Sequence, residues 1–242
     1  MKILLYGENW PGTHVNAISI VLDRMEVNNQ VFDFYKHLNY GTKSSLFNRI
    51  LRKLFLPFNE YVINRKFFDK INTYKPNIII ISKGVNIYPS CLKKIKLLNI
   101  KIVNWNPDDF FNKKNSSRHL RKSFNLFDII FSAREHLFEN YLLSGFKNII
   151  YLEWYYIPWL HQFSEVRDLK RKITFIGTKS NRREKILDSI NEKYNIEIWG
   201  SGWSNSVLKS KTNVVLKNEY LNQKDFPEVI SNSLINLNIL TI

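Results

Sequence analysis

Short apolar runs rich in isoleucine and valine alternate with stretches of helical periodicity along the whole chain. Runs at Lys2–Tyr6, Gln30–Phe34, Asn77–Ser82, Lys101–Asn104, Asp128–Ser132 and Asn148–Leu152 predict strands. Between them the apolar spacing predicts helices at about Val15–Val27, Pro89–Leu98, Ser117–Asn125 and Arg134–Ser144. Ser132 is a candidate cap for the last of these, and Gly145 sits where a C-terminal cap belongs. Leu46, Phe47, Ile50, Leu51, Leu54 and Phe55 also recur at helical spacing. Pro57 predicts a stop there, with a second helix from about Asn59 to Tyr74. Strands that are apolar along their length and separated by helices predict a parallel sheet covered on both faces.

The stretch Glu153–Asp168 breaks the rhythm with Trp154, Tyr155, Tyr156, Pro158 and Trp159, too aromatic for a flexible linker. After the charged run Arg167–Lys172 the alternation resumes. Lys172–Ile176, Ile196–Trp199, Asn213–Leu216 and Leu234–Leu240 predict strands; Arg182–Lys193 and Lys224–Ser233 predict helices. The expected organisation is an α/β unit over 1–155, an aromatic connection over 156–171 and a shorter α/β unit over 172–242. The second ends on an apolar strand with no helix after it, the pattern of an incomplete unit.

Composition narrows the function. Among 242 residues the single cysteine, Cys91, excludes a disulfide framework and any multi-cysteine metal site. No run approaches the ~18 apolar residues of a membrane span, and the N-terminal apolar run is too short for a signal-peptide core, so a cytoplasmic protein is expected. The formal net charge is +15, and residues 41–125 hold 18 basic side chains against 4 acidic ones. Coding bias toward Lys, Asn and Ile is one source of such a total, but it does not concentrate charge. A concentrated positive field draws anionic partners. Nucleic acid is not expected, because neither zinc-finger spacing nor an aromatic RNA-binding motif is present. Residues 45–71 place Arg49, Arg52, Lys53, Arg65, Lys66 and Lys70 among apolar positions. Such a helix either lies on an anionic membrane surface, making the protein peripheral at the inner face, or packs on its own domain.

In open α/β sheets ligands bind beyond the carboxyl ends of the strands. After the first strand, Gly7 to His14 lacks GxGxxG spacing, so no dinucleotide fingerprint is supported. There Gly12 admits close backbone approach, and Thr13 and His14 are contact candidates; Thr13 as a plain helix cap is the competing reading. Gly84 permits a tight turn after the third strand. After the fourth come Trp105-Asn106-Pro107-Asp108-Asp109. Adjacent carboxylates at a strand end supply a general base or a hydroxyl-binding pair, or else cap the next turn. With no further acid or histidine near them in sequence, no metal is expected. In the second unit Gly177-Thr178 leads to Arg182-Arg183 at a helix start, and Trp199-Gly200-Ser201-Gly202-Trp203 follows the next strand. A glycine turn, free helix N-terminal amides and guanidinium groups suit a diphosphate.

These stretches resemble the CgeB-like (spore-maturation) glycosyltransferases. The likeness lies in Lys75–Gly84, Val103–Asp109, Phe127–Phe131 with the helix ending at Gly145, Ile173–Thr178 with Arg182-Arg183, Ile198–Trp203 and Leu234–Asn238. The resemblance implies a GT-B fold of two Rossmann-like parallel-sheet domains, the second incomplete here. It implies transfer from a nucleotide-diphosphate sugar, used as substrate without a bound cofactor or metal, to a glycan or lipid-linked acceptor in polysaccharide biosynthesis. Gly177, Thr178, Arg182, Arg183, Gly200 and Gly202 would face the donor diphosphate. Asp108, Asp109 and His14, the last with its loop from Gly12, would face the reacting sugar. In that family the second domain continues into a segment whose acidic residue binds the donor ribose. This chain stops earlier, so weak donor binding or an inactive, truncated enzyme is expected. The alternatives are a non-catalytic glycan- or nucleotide-binding relative and a basic membrane-associated module.

Overall fold

The computed structural model describes residues 1–38, 46–159, 161–162, 173–222 and 224–240, with backbone alone for 46–54. The side chains of Arg49, Arg52 and Lys53, and most of the 156–171 connection, therefore lie outside the described residues. The chain divides into two compact units, Met1–Tyr155 and Tyr156–Ile242.

The first unit runs β1 (Lys2–Gly7), α1 (His14–Arg24), β2 (Asn28–Asp33), α2 (Leu46–Tyr74), β3 (Ile78–Ser82) and α3 (Pro89–Lys96). It continues through β4 (Lys101–Asn106), α4 (Arg118–Ser123), β5 (Ile129–Ser132), α5 (Phe138–Leu143) and β6 (Ile149–Tyr151). The six strands form one parallel sheet in the order β2-β1-β3-β4-β5-β6. Successive side chains of a strand point to opposite faces, and both faces here are covered. Ile3 and Leu5 of β1, with Ile78 and Ile80 of β3, pack toward Val15, Ile18 and Leu22 of α1. Leu4, Tyr6, Ile79 and Ile81 pack on the other face with Ile63, Phe67 and Ile71 of α2 and Leu92 and Ile95 of α3. That double burial is why these strands read as continuous apolar runs.

The second unit runs β7 (Ile173–Ile176), α6 (Asn181–Asn191), β8 (Ile196–Trp199), β9 (Val214–Leu216), α7 (Phe226–Ser231) and β10 (Ile235–Leu237). Its four strands are parallel in the order β10-β7-β8-β9. Phe175, Leu187, Ile196, Ile198, Trp203 and Leu208 make its core.

Two local expectations change. Pro57 does not stop a helix: α2 is one helix of 29 residues with the proline inside it. A proline interior costs one backbone hydrogen bond, and burial of Ile63, Phe67 and Ile71 on the sheet outweighs that loss. The helix expected over Arg134–Ser144 opens instead with a single 3-10 turn, Glu135–Leu137, before α5. Ser132 accepts the Arg134 N–H at 3.2 Å rather than capping α5. Gly145 does end α5, at φ +82°, with Phe146 N–H reaching the Tyr141 carbonyl at 3.0 Å. Among the described residues no helix is long and apolar enough to cross a membrane.

Candidate functional site

A parallel sheet leaves a crevice where successive connections leave β1 in opposite directions, because the crossing segments then cover different faces. In the first unit that point lies between β1, whose next strand is β2, and β3 on its other side. A cavity of about 300 Å³ opens there, lined among others by Glu8, His14, Lys83, Asn86, Asp108 and Trp154. Thr13 caps α1, its side chain accepting the Asn16 N–H at 3.4 Å and donating to the Glu8 carbonyl at 2.7 Å. This tie fixes the loop that brings His14, the first residue of α1, to the strand ends. Lys83 and Gly84, both at positive φ, turn the chain after β3. A Cβ at Gly84 would stand 2.8 Å from the Ile81 side chain, so the turn needs glycine for space as well as conformation.

His14 Nδ1 shares a hydrogen bond with the Tyr155 hydroxyl at 2.8 Å, and its ring lies against Trp105, Trp154 and Tyr155. Burial, and then the nearby Lys83 ammonium, hold the imidazole below its ordinary pKa, against an opposing pull from Asp108. A neutral imidazole at a cavity wall can take a proton near neutral pH. Burial pushes the Tyr155 phenol up to about 12, so it stays protonated. Asp108 pairs with Lys83 at 2.7 Å, both side chains partly open to solvent. Asp109 is differently employed: its Oδ1 accepts the N–H groups of Phe111 at 2.9 Å and Asn112 at 3.2 Å, tying down the following turn. Glu8 was not singled out by sequence reasoning. Burial raises its pKa, Lys83 lowering it less. Its signal was its place one residue beyond β1. The buried Trp105 Nε1 and Asn106 Nδ2, at the end of β4, find no partner among the described residues. Among the described residues no group of three or more His, Cys, Asp or Glu could hold a metal ion.

A pH dependence follows from His14. Its folded pKa lies below the ordinary histidine value of 6.5, so below that pH the unfolded chain binds the proton more readily than the folded one. Stability present above pH 6.5 is therefore lost as pH falls through the window beneath it. In urea unfolding at about pH 7.5 and about pH 5, wild type should lose more stability than His14→Gln, whose side chain does not titrate. Equal losses would show that the ring is not held neutral.

In the second unit the reversal lies between β7 and β10. Gly177 and Thr178 follow β7, and Ser180 caps α6 by accepting the Arg183 N–H at 3.3 Å. The first amides of α6 have no carbonyl behind them to bond. Arg182 is exposed at that helix start. Arg183 spans the reversal: Nε donates to the Ile239 carbonyl at 2.9 Å and Nη1 to the Thr178 carbonyl at 2.8 Å, its guanidinium 5.3 Å over the Phe175 ring. The turn after β8 docks on the turn after β7. A Cβ at Gly200, where φ is +126°, would stand 2.3 Å from the Gly177 carbonyl oxygen. Trp203 Nε1 donates to that same oxygen at 2.9 Å, and Lys179 N–H to the Ser201 carbonyl at 3.0 Å. Glycine at 200 is thus required by the protein's own backbone. Gly202, at φ +88°, opens the short 3-10 turn Trp203–Asn205. Glu184 accepts from Ser206 at 2.6 Å and pairs with Lys179 at 3.1 Å. Burial raises its pKa, but the hydrogen bonds from Ser206, Lys179 and Val207 win and hold it low.

The sequence matches no protein-family model and no curated protein. Solved structures are similar. The UDP-GlcNAc 2-epimerase of Methanocaldococcus jannaschii aligns at TM-score 0.62 and 11% identity, over 98% of this chain and 78% of that one. The Rickettsia bellii UDP-N-acetylglucosamine 2-epimerase aligns at TM-score 0.62 and 9% identity, over 98% and 73%. An α-glucosyltransferase solved with UDP and a 13-mer DNA containing an A:G mismatch aligns at TM-score 0.59 and 15% identity, over 98% and 71%. Identities this low speak to architecture, and the architecture shared is the GT-B-like pair of parallel α/β sheets found in these UDP-sugar enzymes.

Proposed function

We propose that this protein is a CgeB-like glycosyltransferase, moving a sugar from a nucleotide-diphosphate donor to a surface-polysaccharide or glycolipid acceptor on the cytoplasmic side of the membrane. The observation that carries the reading is the reversal point of the second sheet, where a helix N-terminus and two arginines stand at the strand ends. The α6 amides and Arg182 take the diphosphate. Arg183 shapes the turn by gripping both strand ends, and Gly177, Thr178, Gly200 and Gly202 set its backbone. His14 or Asp108 in the first unit takes the proton of the acceptor hydroxyl. The acceptor oxygen bonds to the anomeric carbon as the bond to the diphosphate oxygen breaks, and the nucleoside diphosphate leaves with the electron pair. Asp109 supports the loop that carries Asp108.

Calorimetry with UDP, GDP and TDP and their sugars tests the donor site. One nucleotide should bind, and Arg182→Ala should weaken it about tenfold, the worth of one charge-assisted contact to phosphate. If no nucleoside diphosphate binds, the reading fails. Binding without turnover, unchanged when Asp108 and Asp109 become Asn, would instead favour a non-catalytic relative. A second reading comes from the epimerases among the structural neighbours. Conversion of the nucleotide-sugar to its epimer with no acceptor present would establish it.

A further inference from the structure

Several described apolar side chains of α2 are exposed. Phe55, Leu56 and Phe58 are 51%, 48% and 58% exposed, and Tyr61, about one turn on, is 56% exposed. Among the described side chains of α2 burial on the sheet starts at Asn59, and Phe55, Leu56 and Phe58 stand clear of the first unit's core. Along the same helix, residues 58, 61, 65 and 69 fall on one stripe by their spacing. Beside that stripe a groove of about 300 Å³ runs between α2 and α3, lined by Tyr61, Arg65, Phe68, Asp69, Tyr88 and Lys94 among others. Lys94 Nζ stands 5.8 Å over the Phe68 ring, which steadies a cation at the groove's edge.

Charge chooses the occupant. From Phe34 through Asn59 the sequence has five Lys or Arg and no Asp or Glu. Arg65, Lys66, Lys93 and Lys94 are exposed around the groove, and a second copy of a chain with net charge +15 is repelled from a basic surface of this kind. An anionic bilayer is attracted to it, and offers both things the face needs: an apolar interior for Phe55, Leu56 and Phe58, and phosphate headgroups for Arg65 and Lys94. We infer that the first unit docks on an anionic phospholipid surface, with Phe55, Leu56 and Phe58 of α2 lying in the interface and a lipid headgroup in the α2–α3 groove. This docking is independent of the sugar chemistry, and loss of nucleotide binding leaves it standing.

Flotation of the full chain with vesicles tests it. At low salt the chain should float with phosphatidylcholine vesicles containing phosphatidylglycerol and stay behind with phosphatidylcholine alone. Phe55→Ser/Phe58→Ser should lower partitioning by at least about tenfold. Arg65→Gln and Lys94→Gln should each lower it about fivefold. All four side chains are at the surface or the groove edge, and an unchanged thermal unfolding curve confirms that each variant folds. Failure to float with the anionic vesicles overturns the inference. So does flotation indifferent to Phe55 and Phe58, or equal capture by soluble polyglutamate, since the face would then read charge alone.

Discussion

Truncation of Trp203 to alanine is expected to destabilise the second unit by about 4 kcal/mol, the scale of emptying a fully buried aromatic site. Trp203 has no exposed surface and packs edge-on to Phe175, ring centroids 6.1 Å apart. Its indole N–H also holds the Gly177 carbonyl at 2.9 Å, and its backbone N–H reaches Asn218 Oδ1 at 2.9 Å. Alanine leaves a cavity and an unpaired carbonyl at the point where Gly177 meets Gly200. A unit this small has little stability in reserve, typically about 5–15 kcal/mol for a whole domain, so most of it goes. Trp203→Phe keeps most of the volume and loses the hydrogen bond alone, at a cost nearer 1–2 kcal/mol, roughly the penalty of one unmade bond. Circular dichroism through a urea titration separates the two variants. A Trp203→Ala midpoint beside that of wild type would mean the two glycine turns are held by something else. If the proposed donor site holds a nucleotide, its affinity should fall with stability, because the same carbonyl positions the Gly177–Thr178 turn.

What could be read from sequence, and what could not, divides by the range of the interaction. Ile78 to Ile81 announce a doubly covered strand because every position is apolar, and covering both faces is what a parallel sheet requires. Gly145 marks a helix end because the left-handed position after a helix favours it, a local fact. Pro57 misled because its local cost is real, while the burial that overrides it depends on a sheet twenty residues or more away along the chain. The strand order, and with it the two reversal points, is non-local altogether. So is the work of Arg183, whose Nε partner Ile239 lies 56 residues on, and of Tyr155, 141 residues from the His14 it touches. Sequence reasoning read Gly200 as room for a ligand. The room is taken by Gly177, and no spacing rule could have said so. Glu8 and Lys83 went unremarked because a lone charge after a strand has no pattern until its neighbours gather round it.

Asp108 and Asp109 are adjacent, yet the expected consequences of altering them are far apart. Asp109 works through one oxygen that accepts two backbone N–H groups, and asparagine keeps that oxygen. Asp109→Asn should leave turnover within about threefold of wild type, because a side-chain amide caps a turn as well as a carboxylate does. Asp108 lines the cavity beside His14, and its ion pair to Lys83 is open enough to water to add little stability. Asp108→Asn should therefore fold normally. If its carboxylate takes or steers the acceptor's proton, release of nucleoside diphosphate in the presence of acceptor should fall about 10²–10⁴-fold, the range for loss of a positioned general base. The reverse pattern, a silent Asp108→Asn with a damaging Asp109→Asn, would move the chemistry off this cavity wall. Equal and modest losses in both would make the two carboxylates supports for the loop and leave His14 as the base, a result His14→Gln would then confirm by a loss of the same 10²–10⁴ order.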